Sequence, residues 1–147
     1  MVDETIAEQA EVLSARRARM FPLLAVIYLG QQYSYFSSLD GGRPVDTVRI
    51  GAWAVMSAAL LIALITGGGL LRKPELRALI NDETSRAHRS DALSWGFVVA
   101  IITGIVLYVI GSGEVGQRQS IHLIVSLGIA TALVRFGWLE KRAMRGE

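Results

Sequence analysis

Cysteine is absent from the 147 residues, which excludes disulfides, thiolate metal centres and a cysteine nucleophile. Charge is scarce as well: Asp, Glu, Lys and Arg make up 19% of the chain, against about 25% in an average soluble domain. What charge there is, apart from Arg135, avoids four apolar runs, Met20–Ser37, Ile50–Leu71, Leu93–Ile110 and Ile121–Leu139, none of which holds an Asp, Glu or Lys. With no carboxylate in any run, a proton relay or cation-coupling site lacks its usual part. Nucleophile-elbow and phosphate-loop patterns are missing, and Gly67–Gly69 has no Lys-Ser/Thr partner after it. The two histidines, His88 and His122, fall on opposite sides of the expected bilayer and cannot share an ion at bonds of about 2 Å. No enzymatic activity, metal or cofactor is expected. The net charge of +2 gives no footprint for direct nucleic-acid binding, because the basic residues cluster at the ends of apolar runs.

What remains is oil. Hydrophobic residues are 52% of the chain, and the mean hydropathy is +0.41. Each apolar run spans roughly 18–22 residues, and a helix needs about 20 to cross the hydrocarbon of a bilayer. In lipid the backbone must satisfy its own hydrogen bonds, so each run should be helical. Helices of a soluble bundle would carry a polar stripe every three or four residues, and the second and third runs carry none. The first run is not expected to be a cleaved signal peptide, since a charged leader precedes it and no small-residue cleavage site follows.

Arginine and lysine set the orientation. Arg16, Arg17 and Arg19 precede the first run; Arg72, Lys73, Arg77, Arg86 and Arg89 follow the second; Lys141, Arg142 and Arg145 follow the fourth. The other two connections carry only Arg43, Arg49 and Arg118. By the positive-inside rule both termini and the 72–92 connector face the cytoplasm. The expectation is a single domain over 1–147: an all-α, integral membrane four-helix bundle in a bacterial inner membrane. It should carry a cytoplasmic amphipathic N-terminal helix over 1–19 and a cytoplasmic extension of the third helix.

The leader has its acids early and its arginines late, matching a helix dipole, with Ile6, Ala10 and Leu13 as an apolar stripe. Pro74 suits the first turn of a short interfacial helix with Leu76, Leu79 and Ile80 on one face. Asn81 or Asp82 can then cap a third helix that runs unbroken to Gly111. Such a helix would be about 43 Å long, with about 30 Å in hydrocarbon. Asp3-Glu4-Thr5 recurs as Asp82-Glu83-Thr84, each before a span, which is compatible with duplication of a two-span unit.

Small residues mark where helices can approach closely. Gly96, Ala100 and Gly104 repeat at four-residue spacing in the third run, and Gly128 and Ala132 in the fourth. They fit contact within one bundle or the seam of a homodimer. Gly67–Gly69 fits a helix C-cap or a hinge. Arg135 lies about one turn from the inner boundary, from which it can snorkel, beside Trp138 as an interface anchor.

Two groups of side chains are candidates for function. Gln31, Gln32 and Tyr33, with Trp53, Tyr108 and His122 at the same expected depth, form either a packed aromatic belt or a ligand pocket facing outward. Arg77, Arg86 and Arg89, interleaved with Asp82, Glu83 and Asp91, form a mixed-charge surface just outside the bilayer, suited to lipid head groups or to a soluble partner. The segment "LINDETSRAHRSDALSWGF", Leu79–Phe97, resembles one in small bacterial inner-membrane proteins where an Asp-Glu-Arg/Ser/Thr motif and later arginines precede a span. Some of these are encoded beside helix-turn-helix regulators. The resemblance implies a protein that holds such a regulator at the membrane. The expected function is therefore a non-enzymatic regulatory or scaffolding role, binding a cytosolic protein through residues 72–92. The alternative is a small oligomeric transporter or channel subunit with the Gln31/Gln32/Tyr33 face lining a path.

Overall fold

The computed structural model describes residues 2–36, 44–68, 83–110 and 116–146. They form α1 (Val2–Phe36), α2 (Pro44–Ile65), α3 (Glu83–Ile110) and α4 (Gln117–Ala143). The protein is all-α, and α2, α3 and α4 are each long and apolar enough to cross a membrane. α1 is not among these three, because arginines crowd its first half and Gln31, Gln32 and Ser34 lower the hydropathy of its second. α2 starts at Pro44 rather than Ile50, with proline at the first helical position, where its missing N–H costs nothing. The connector over 69–82, including the turn expected after Pro74 and the caps at Asn81 and Asp82, lies outside the described residues, as do the leader's Ile6 and Ala10 side chains.

The leader and the first apolar run make one helix rather than two. α1 has 35 residues and contains Pro22. Proline removes the hydrogen bond to the carbonyl four residues back and usually kinks a helix. Here the neighbouring helix accommodates the ring. A Cβ built on Gly137 would run into the Pro22 ring and approach the Ala18 carbonyl oxygen to 3.1 Å, so only glycine lets α4 seat there.

α4 is the central helix. Half of its spanning window is buried, against 11% for α3 and 17% for α2. It packs along α1 on one side and α3 on the other, and touches α2 more briefly. Arg17 meets Glu140 at one end and Gln32 meets His122 at the other, so α1 and α4 run antiparallel. α2 has Trp53 against His122 and Ile65 against Arg89, which completes an up-down-up-down order. Tyr28, Phe136, Leu64 and Leu133 are the largest fully buried side chains, and Phe21 meets Phe136 edge to face at 4.9 Å. The outer faces are apolar instead of polar: Val55, Phe97, Ile101, Ile105 and Val109 are all exposed. That inverted pattern suits a lipid surround.

The small-residue repeats of α3 and α4 face each other within the chain. A Cβ on Gly96 would lie 2.6 Å from the Gly128 carbonyl oxygen and 2.9 Å from Ala132 Cβ, and one on Gly128 would lie 3.1 Å from Ala100 Cβ. The end of α2 is a C-cap. Gly67 and Gly68 take φ of 62° and 69°, and the Gly68 N–H donates back to the Ala63 carbonyl at 2.8 Å. That is the αL geometry in which glycine is favoured.

Candidate functional site

Polar side chains gather at the two ends of the α1–α4 interface, with an apolar layer of Phe21, Ala25, Leu64, Leu133 and Phe136 between them. On α1, Arg17, Phe21, Tyr28 and Gln32 follow helical spacing onto one buried face, so one stripe carries both polar layers.

At the first end, Glu140 of α4 holds two basic groups. Its Oε2 lies 3.4 Å from Arg17 Nη2 and its Oε1 lies 3.2 Å from His88 Nδ1. Arg17 Nη2 also donates to Ser85 Oγ at 2.8 Å, and its guanidinium lies 5.5 Å from the centre of the Phe136 ring. Side chains of α1, α3 and α4 are thus joined in one network, with Arg17 only 5% and Glu140 only 9% exposed. α2 is tied in by Arg89, whose Nη1 donates to the Ile65 carbonyl at 3.2 Å. A second ion pair lies nearby on the outer side: Arg135 Nε donates to Asp91 Oδ2 at 2.7 Å, with Trp95 and Trp138 beside the guanidinium. Arg135 is therefore bound to α3 as well as able to snorkel.

At the other end, Tyr28 OH and Ser57 Oγ are 2.7 Å apart, and Ser126 Oγ donates to Tyr28 OH at 3.4 Å. Trp53 Nε1 donates to Ser126 Oγ at 3.3 Å, and its ring stacks on His122 with centroids 3.8 Å apart. His122 Nδ1 lies 3.3 Å from Gln32 Oε1. Buried polar groups are costly without partners, and this set supplies most of its own across three helices.

The sequence-derived candidates divide accordingly. Gln32, Trp53 and His122 come together, through the Gln32–His122 contact and the stacking of Trp53 on His122. Gln31 points outward and Tyr108 is 87% exposed, so neither joins them; the Tyr33 side chain lies outside the described residues. Of the mixed-charge surface, Glu83 and Arg86 are exposed, whereas Arg89 is buried. Arg77 and Asp82 lie outside the described residues. His88 and His122 occupy opposite ends of the bundle. Sequence reasoning missed Arg17 and Glu140 as partners, and it placed Asp91 on the mixed-charge surface, whereas Asp91 pairs with Arg135. Glu140 could have been noticed as a single carboxylate set among Lys141, Arg142 and Arg145.

These features define a multi-pass helical membrane protein. No protein-family profile, curated protein or solved structure matches the chain.

Proposed function

We propose that the protein is a non-enzymatic, regulatory or scaffolding protein of a bacterial inner membrane. It crosses four times with both termini inside and binds a cytosolic protein through its 72–92 connector and the start of α3. The observation that carries this reading is the Arg17–Glu140–His88–Ser85 network. It fixes the emerging part of α3 to α1 and α4, so Glu83 and Arg86 stand exposed on a rigid post rather than on a loose loop. The orientation rests on the arginine distribution, and the exposed α1 arginines, Arg16 and Arg19, belong to the same face of the membrane.

The test is a mild-detergent pull-down compared with an Arg86→Glu variant. Arg89 is left unchanged because it bonds the end of α2. Wild type should recover a defined soluble protein, and the charge reversal should cut its recovery about ten-fold or more, as expected for a like charge placed in a charged interface. Equal recovery by both proteins contradicts the docking role.

The polar layer of Gln32, Trp53, His122, Tyr28, Ser57 and Ser126 favours the second reading, a small oligomeric transporter or channel subunit. Partner-free solute movement in proteoliposomes would select it.

A further inference from the structure

The side of α4 turned away from the core carries an open groove of about 540 Å³. Leu127, Thr131, Val134 and Trp138 form its floor at helical spacing, Leu29 of α1 and Trp95 of α3 stand along its sides, and Arg135 lies at one end. By that spacing the floor runs along about three turns of helix, or about 17 Å. The groove exists because α1 and α3 flank α4 while α2 covers only the opposite face, at Trp53 and His122.

The ends of the groove differ in chemistry. Toward Leu29 and Leu127 it is wholly apolar. At the other end it shares Trp138 with a small hollow lined by Lys141, Arg142 and Arg145. Trp138 lies between two guanidinium groups, 5.0 Å from that of Arg135 and 5.4 Å from that of Arg142. Among the described residues, no carboxylate lines either hollow. Asp91 takes one edge of Arg135, which leaves a surplus of positive charge at this level.

We infer that this surface is a binding site for an anionic phospholipid, with an acyl chain along α4 in the groove and the phosphate among Arg135, Lys141, Arg142 and Arg145. The pattern fits an amphiphile at each point. The apolar length suits a chain, the two tryptophans sit where the interface begins, and the cations sit where a head group lies. A zwitterionic lipid would fill the groove, but its own ammonium offsets its phosphate and leaves the surplus cations unmatched. The inference is independent of the docking role of Glu83 and Arg86.

The experiment is native mass spectrometry of delipidated protein in detergent, offered equal amounts of phosphatidylglycerol and phosphatidylcholine with identical chains. A single phosphatidylglycerol adduct should exceed the phosphatidylcholine adduct about ten-fold. The exposed-surface variant K141Q/R142Q/R145Q should lose about that preference at an unchanged melting temperature, and millimolar glycerophosphate should not displace the lipid. Thr131→Trp, which fills the floor, should weaken both lipids together. Equal binding of the two lipids, full preference in the triple variant, or displacement by glycerophosphate alone would overturn the site. So would a Val134→Cys protein that forms disulfide dimers in the membrane, since a second copy would then cover the groove.

Discussion

Replacing Glu140 by glutamine is expected to cost the bundle about 3 kcal/mol, the lower part of the range for breaking a buried ion pair. The substitution keeps the size of the side chain, removes its charge and turns one acceptor oxygen into a donor. Arg17 and Glu140 are 5% and 9% exposed, so water cannot take over the role of the lost partner. Arg17 would keep Ser85 but lose the carboxylate that balances its charge, and His88 would lose the same group. The cost belongs to the stranded cation more than to the lost contact. Arg17→Met combined with Glu140→Gln should therefore recover most of the stability, because neither position then leaves an uncompensated buried charge. Unfolding of the single and double variants in detergent measures both values. A Glu140→Gln protein within about 0.5 kcal/mol of wild type, the range of ordinary surface changes, would mean that this end of the bundle is hydrated and the network is incidental.

The second large effect is expected at Gly96. A leucine there must place its Cβ 2.6 Å from the Gly128 carbonyl oxygen and 2.9 Å from Ala132 Cβ. The first obstacle is backbone and cannot rotate away, so α3 and α4 must separate. Overpacking typically costs about 1–3 kcal/mol, and separation adds the loss of contact along the rest of the seam. In lipid no hydrophobic force restores that contact, because the acyl chains are as apolar as the helices. Gly96→Leu should therefore melt well below wild type and become sensitive to protease along α3. Gly104→Ala is the internal control: its Cβ would meet only Ile124 Cδ1 at 3.6 Å, an ordinary contact, and the melting temperature should hold. Equal behaviour of the two variants would show that the seam is not close-packed.

The seam was readable because small residues every four positions can only serve one face of a helix. The spacing left contact within the bundle and a homodimer seam both open, and it is the structure that sets this repeat against Gly128 and Ala132. The charged network was not readable in the same way. Arg17 lies just before one apolar run and Glu140 just after another, positions where solvated charge is the ordinary expectation. Only the antiparallel pairing of α1 with α4 brings them together. Depth also proved a poor guide to direction. Gln31 and Gln32 are adjacent, and a helix turns about 100° per residue, so one faces out while the other reaches His122. Tyr108 shares a type with Tyr28 but not its face, and it points away from the bundle. Arg89 follows Ser85 by four residues and precedes Ala92 by three, all on the buried stripe of α3, while Arg86 lies off it. Periodicity within the connector would have separated these two arginines; reading them as one charge cluster merged them.

Everything functional depends on the chain crossing the membrane with its Arg17–Glu140 end inside. The lack of cysteine makes that directly measurable, since any introduced thiol is the only one in the chain. Arg86→Cys and Gln117→Cys each alter an exposed residue, at opposite ends of the bundle. With a membrane-impermeant maleimide on intact cells, Gln117→Cys should label at once and Arg86→Cys only after the membrane is opened. Labelling of Arg86→Cys in intact cells would contradict the orientation, and with it the cytosolic partner.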